Sequence, residues 1–261
     1  MTFRKLKHRC QEIAANALGP AATIIHTPKC GGTFLHAAYR VHELPRIRSI
    51  GHGCLRQLLP AGRTGQLVGL IRDPIDWYTS YLAFCRQGLR EAARSVENFP
   101  ASHPICVFSK DGTSSLAEMI RAMANKALLT KLVATRSVAN VYTLDISDVF
   151  EFMHRTDSGF WTWTMMYHFA RCPTSALRNR DDVLQESVWI AKNVSFIHQE
   201  HLCEDVERVL KLAPPVGFKR MNCSKRTEAD VLESDTCSIV SRCDGLVSGM
   251  LYKDRQLRQA G

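Results

Sequence analysis

Short apolar runs alternate along the chain with longer stretches whose apolar residues recur every three or four positions. The runs Ala22 to His26, Gln66 to Ile71, Asn140 to Leu144 and Val194 to Ile197 have the length and side-chain content of buried strands. Between them, helical periodicity predicts helices over Thr33 to Arg40, Ile75 to Gln87, Ser115 to Thr130, Phe160 to Phe169 and His201 to Leu212, with a final helix around Ser238 to Tyr252. Apolar strands that alternate with helices build a parallel sheet covered on both faces, so the pattern predicts an α/β fold. No repeat, low-complexity run or linker interrupts it. The expectation is one domain over residues 22–261, preceded by a basic helical extension over residues 1–21.

That extension begins MTFRKLKHRCQEIAANALGP, with Phe3, Leu6, Cys10, Ile13 and Leu18 at roughly helical spacing. It lacks the apolar core of about 7 to 15 residues that a secretory signal needs, and the ~20 that a membrane span needs. A capping amphipathic helix is expected, with contact at a membrane surface as the alternative.

Charge narrows the partners. Thirty-four Lys and Arg against 25 Asp and Glu give a formal net charge of +9. Such a surplus suits a polyanionic partner, a nucleotide with several phosphates, or simply a basic surface. The ten cysteines are scattered, without a C-x-x-C pair, which predicts a reduced, cytoplasmic protein rather than a disulfide scaffold.

The candidate chemistry starts at TIIHTPKCGGTFLHAAYR, residues 23–40. A strand that ends in a glycine-bearing turn and runs straight into a helix aims backbone N–H groups and the positive helix end at one point, where phosphate or sulfate is held. Gly31 and Gly32 allow close approach, Lys29 adds a charge, and Thr33 adds a hydroxyl. In nucleotide hydrolases the lysine follows the last glycine of G-x-x-x-x-G-K-[ST]. Here it precedes both, which argues against an ordinary ATPase or GTPase. A plain strand-to-helix turn is the alternative.

A second segment, LVGLIRDPIDWYTSYLAF at residues 67–84, repeats the plan: a buried strand, Arg72 at its carboxyl end, then a proline-started helix carrying Ser80. Ligands of doubly wound sheets bind outside the carboxyl ends of the strands, and arginine offers a fork for a second phosphate. The competing assignment is an Arg72–Asp73 surface pair with Ser80 on a helix face.

Together the two segments resemble the sulfotransferase family, in which P-K-[TS]-G-[GT]-[TS] holds a 5′-phosphosulfate and R-[DN]-P followed by a serine holds a 3′-phosphate. The form H-x-P-K-x-G-G-T is most similar to the carbohydrate branch, including its short bacterial members. VSFIHQEHLCEDVERVL (194–210) looks like that family's strand followed by E-x-L-x-x-D, and RMNCSKRTE (220–228) like its N-x-S-K loop. Cys30 stands where the family often has Ser or Thr, and Trp77 where it often has a basic residue. The resemblance implies a P-loop-type three-layer fold with a central parallel sheet flanked by helices. It also implies 3′-phosphoadenosine 5′-phosphosulfate as donor, with no metal. Pro28, Lys29, Cys30, Gly31, Gly32, Thr33, Phe34, Arg72, Ser80, Lys225 and Arg226 would then bind the donor, and Lys29 would neutralise the leaving oxygen.

An acceptor hydroxyl must lose its proton, and His52 in SIGHGCLRQLL is the candidate base: it lies between the two binding segments, with glycines on both sides. His26 is expected to orient the loop; His168 and Glu200 are the other candidates for the base. The aromatic run of SGFWTWTMMYHFARC (158–172) is expected to be core, part of it lining the acceptor cleft if it is not. Arg171, Arg178 and Arg180 read as a solvated basic face that would also suit an acidic glycan. Three function classes follow: a sulfotransferase acting on a carbohydrate or small hydroxylated metabolite, a P-loop-fold kinase using ATP, and a nucleotide-binding protein without turnover. No nucleic-acid partner is expected.

Overall fold

The computed structural model describes residues 21–44, 46–58, 65–92, 103–110, 112–135, 145–213 and 234–252. The expected N-terminal helix, the strand at Asn140 to Leu144, and Lys225 and Arg226 lie outside them. The chain divides into two compact units, one of residues 1–71 and 193–222, the other of residues 72–192 and 223–261.

The first unit is α/β. Strands β1 (Ala22–Ile25), β2 (Ile47–Ser49), β3 (Gln66–Ile71) and β4 (Val194–His198) form a sheet in the order β2-β1-β3-β4. All pairs are parallel, with Ile24 opposite Ser49 and Val68, and Ile71 opposite His198. β1 is buried at every position, and Val68 to Ile71 of β3 likewise, as continuous apolar strands covered on both faces must be. Helix α1 (Gly32–Tyr39) follows β1, and a short 3-10 turn (Gln199–His201) leads from β4 into α9 (Leu202–Leu210), which packs on β4. The strand β2 was not expected: its three residues are too few and too polar to stand out, and β1 alone gives them a ladder.

The second unit is helical: α2 (Pro74–Ala92), α3 (Pro104–Ser109), α4 (Leu116–Met123), α5 (Lys126–Thr135), α6 (Val149–Thr156), α7 (Phe160–Phe169), α8 (Arg180–Asn193) and α10 (Ser234–Leu251). Asp73 opens α2, its Oδ1 accepting from the N–H of Ile75 at 2.9 Å, with Pro74 at the first helical position. The single helix expected over Ser115 to Thr130 is two. Ser115 and Glu118 form a capping box at the start of α4. The chain then breaks at Asn125, whose Oδ1 accepts from Leu128 N at 3.1 Å and starts α5. Helix α7 is buried on every side, so the aromatic run expected as core is core. Asp244 of α10 ties this unit together, accepting from the Tyr78 hydroxyl at 2.8 Å and from the Thr162 N–H and hydroxyl at 2.9 and 2.7 Å.

Candidate functional site

The turn after β1 is built from two left-handed residues, Lys29 at φ 63° and Gly31 at φ 86°. Elsewhere in the chain lysines take that conformation at helix C-caps, Lys110 and Lys211; at Lys29 it falls in a strand-to-helix turn, and left-handed non-glycine residues of that kind collect at functional sites. Between them Cys30 points inward, fully buried, its N–H donating to Thr27 O at 3.3 Å. Its place in the core suits a small thiol. α1 then starts at Gly32, leaving the N–H groups of its first turn without intrahelical partners. Lys29 is half-buried, Thr33 is exposed, and Pro28 and Phe34 are buried.

The two glycines are there for different reasons. Gly31 needs its positive φ, and a Cβ there would lie 3.3 Å from Gln199 Cγ of the turn after β4. Gly32 has an ordinary φ, but a Cβ on it would fall inside the imidazole of His26.

His26 and His52 are locked to one another. The His26 N–H donates to Gly51 O at 2.8 Å, and His52 Nδ1 lies 2.9 Å from His26 O. A carbonyl only accepts, so Nδ1 of His52 carries the hydrogen and Nε2 is its basic atom. Burial lowers the pKa of His52 below 6.5, and the hydrogen bond to the His26 carbonyl only partly opposes this. The neutral imidazole therefore prevails at neutral pH. Gly51, at φ 58°, makes the turn that brings His52 to the end of β1.

At the end of β4 the carboxylate of Asp205 accepts from the main-chain N–H of His198 and pairs with its Nδ1, while Arg208 donates to the other oxygen at 3.0 Å. Sequence reasoning saw Asp205 only as the last position of a motif and missed His198. Its signal was a histidine at a strand end seven residues before an aspartate on the next helix. Glu200, a weaker candidate for the base, is half-buried in the turn between them.

Arg72 and Ser80 belong to the second unit. Arg72 follows β3 directly and its carbonyl accepts from Trp161 Nε1 at 3.0 Å; Ser80 is buried on α2. Trp77 is fully buried, its ring 4.4 Å from Tyr81 and 5.4 Å from Phe160 between centroids, and so serves the core. His168 is fully buried in α7 beside Tyr167. In the basic tract, Arg171 forks onto Glu186 at 2.6 Å and covers the Trp189 ring, and Arg180 donates to Arg242 O. Among the described residues the cysteines are free thiols, and no helix is long and apolar enough to cross a membrane. No protein-family model, no curated protein and no solved structure matches the chain.

Proposed function

We propose that the chain is a sulfotransferase of P-loop-type three-layer fold that moves the sulfuryl group of 3′-phosphoadenosine 5′-phosphosulfate to a hydroxyl of a carbohydrate or small metabolite. The observation that carries the reading is the strand, strained turn and helix of residues 22–39, with Lys29 and the first-turn N–H groups of α1 at the carboxyl end of a parallel strand. That arrangement suits an anion.

In the reaction, His52 Nε2 takes the acceptor's hydroxyl proton as the acceptor oxygen attacks sulfur. The bond from sulfur to the bridging phosphate oxygen breaks in line, and adenosine 3′,5′-bisphosphate leaves with the electron pair. Lys29 and the α1 N–H groups meet the charge that grows on the leaving phosphate, a fixed electrostatic contribution of the kind that dominates phosphoryl transfer. His52 then returns its proton to solvent. Arg72 and Ser80 are assigned to the 3′-phosphate, Lys225 and Arg226 to the nucleotide.

Thermal shift of the purified protein tests the donor. Ligand at 100 times its Kd stabilises by about 2.7 kcal/mol, so a rise with adenosine 3′,5′-bisphosphate in metal-free buffer is expected. A rise only with ATP and magnesium would replace this reading with the kinase one. Transfer of labelled sulfate to a panel of glycans, lipids and phenols identifies the acceptor, and binding without any transfer would leave a nucleotide-binding protein.

A further inference from the structure

His26 stands between the two groups whose separation the proposed reaction must fix. On one side its imidazole fills the space that a Cβ on Gly32 would take, against the first residue of α1. On the other side lies the His52 ring, 4.5 Å away between centroids with the planes at 37°. The main chain of the same residue is held by the His52 turn at both its N–H and its carbonyl. A third imidazole, His36 of α1, lies 6.2 Å from the His26 ring and meets the Ser49 hydroxyl at 3.2 Å.

Resting on the reading of His52 as the base, we infer that His26 is a positioning residue: its imidazole is a wedge that sets the distance between His52 and the helix end where the donor's phosphosulfate is held. A flat ring fits a slot bounded by a residue without a Cβ, and a Cβ on Gly32 would force the ring toward His52. The wedge therefore accounts for a glycine at position 32 that its ordinary φ does not. It also accounts for His52 holding a single orientation, because the ring face of His26 backs the ring whose Nδ1 the His26 carbonyl receives. A base and a donor held this way need no rearrangement before attack, and misplacement by about 1 Å costs ~10²-fold in rate.

Two measurements on the full chain test the wedge. Nitrogen-resolved NMR of the His52 ring should show sharp signals, protonated at Nδ1, in the wild type and exchange-broadened ones in His26→Ala, which keeps the carbonyl but loses the ring that backs His52. Steady-state kinetics should show His26→Ala lowering kcat by roughly 10²-fold with the Kd for adenosine 3′,5′-bisphosphate nearly unchanged. In a His52→Ala background the same substitution should have no further effect on kcat, because it acts through the base. Gly32→Ala approaches from the other wall and should repeat the kcat loss, and the Gly32→Ala/His26→Ala pair should be no worse than the worse single variant. Unbroadened His52 signals in His26→Ala, or a kcat loss that persists without His52, overturn the inference while the sulfotransferase reading stands. Broadened His52 signals in His26→Ala of a protein that transfers no sulfate keep the wedge and overturn the reading of function.

Discussion

His198 and Asp205 are joined twice: the main-chain N–H and the Nδ1 of His198 both meet Oδ2 of Asp205, at 2.8 and 2.6 Å. The pair closes the end of β4 onto the first turn of α9, and Arg208 holds the second carboxylate oxygen while reaching back to Phe196 O. Through Gln199 and Leu202, which lie between the two residues in sequence and line the space beside Gly31, the clamp supports the turn after β1.

Burial works to raise the pKa of Asp205, but the His198 bonds, the neighbouring charge and Arg208 outweigh it and bring the pKa to about 2 from an ordinary 3.8. A depressed pKa stabilises above 3.8, and that contribution is lost as pH falls from there through about 2. Asp205→Ala should cost about 2 to 3 kcal/mol at neutral pH. Its urea-unfolding free energy should also fall less steeply below pH 4 than that of the wild type. Equal stabilities at pH 7 would show that the clamp contributes nothing.

Asp244 moves the other way. It meets only neutral donors, so burial prevails over the bonds from Thr162, Tyr78 and Gly159 and raises its pKa to about 6. Between 3.8 and about 6 the native state keeps a proton that the unfolded chain has released, so stability from this group falls as pH rises through that window. The full drop is about 3 kcal/mol. Asp244→Asn should flatten that fall in a series of melts from pH 4 to 7. Asp244→Ala should be destabilised throughout, because it strands the Tyr78 hydroxyl and the Thr162 N–H.

Lys29→Ala should reduce sulfuryl transfer by roughly 10²- to 10³-fold, the usual loss when one fixed electrostatic contact to the reacting group goes. Lys29→Gly separates charge from backbone. It relieves the left-handed φ yet should be as inactive as the alanine variant, with a melting temperature at least as high. Near-wild-type turnover in either variant would remove Lys29 from the mechanism.

Arg72→Ala and Ser80→Ala should weaken binding of adenosine 3′,5′-bisphosphate far more than binding of adenosine 5′-monophosphate. Calorimetry with both ligands decides it. Losses of the same size for the two would take both residues away from the 3′-phosphate.

His52→Ala should cut kcat by about 10²- to 10⁴-fold and leave nucleotide affinity in place. Because burial depresses the pKa of His52, the wild-type rate should rise with pH along a limb centred below 6.5 and flatten by neutral pH; the variant should lose that limb. A limb that survives in His52→Ala would hand the proton to Glu200 or His168.

β1, β3 and β4 were legible because burial on both faces leaves an apolar run with nothing else to explain it, and Gln66–Ile71 was read to the residue; β2 was not. Helices α3, α6 and α8 were not. α3 is six residues long, and α8 opens with Arg180, Asp181 and Asp182, so its start is written in capping and charge rather than in apolar spacing. The break between α4 and α5 hung on one Asn125 side chain inside a stretch of uniform helix formers. At the candidate site the turn announced itself through Lys29 and the glycine pair, and the positive φ of Gly31 is the backbone feature that restricts residue type there. The dependence of Gly32 on His26 and of Asp205 on His198 is a matter of side chains meeting across six or seven residues, and no local pattern records it.

β3 and β4 are neighbours in the sheet, yet residues 72–193 separate them along the chain. During synthesis β4 emerges only after helices α2 to α8 have left the ribosome, with α10 still to be made. Closing so long a loop from a random chain costs on the order of 4 kcal/mol in entropy, and the cost shrinks once the intervening helices have collapsed and drawn its ends together. The helical unit thus acts as a folding spacer, and the edge of β3 that β4 will cover lies open until residue 198 arrives. A chain stalled before that point presents an unpaired apolar strand edge, the surface through which nascent chains aggregate.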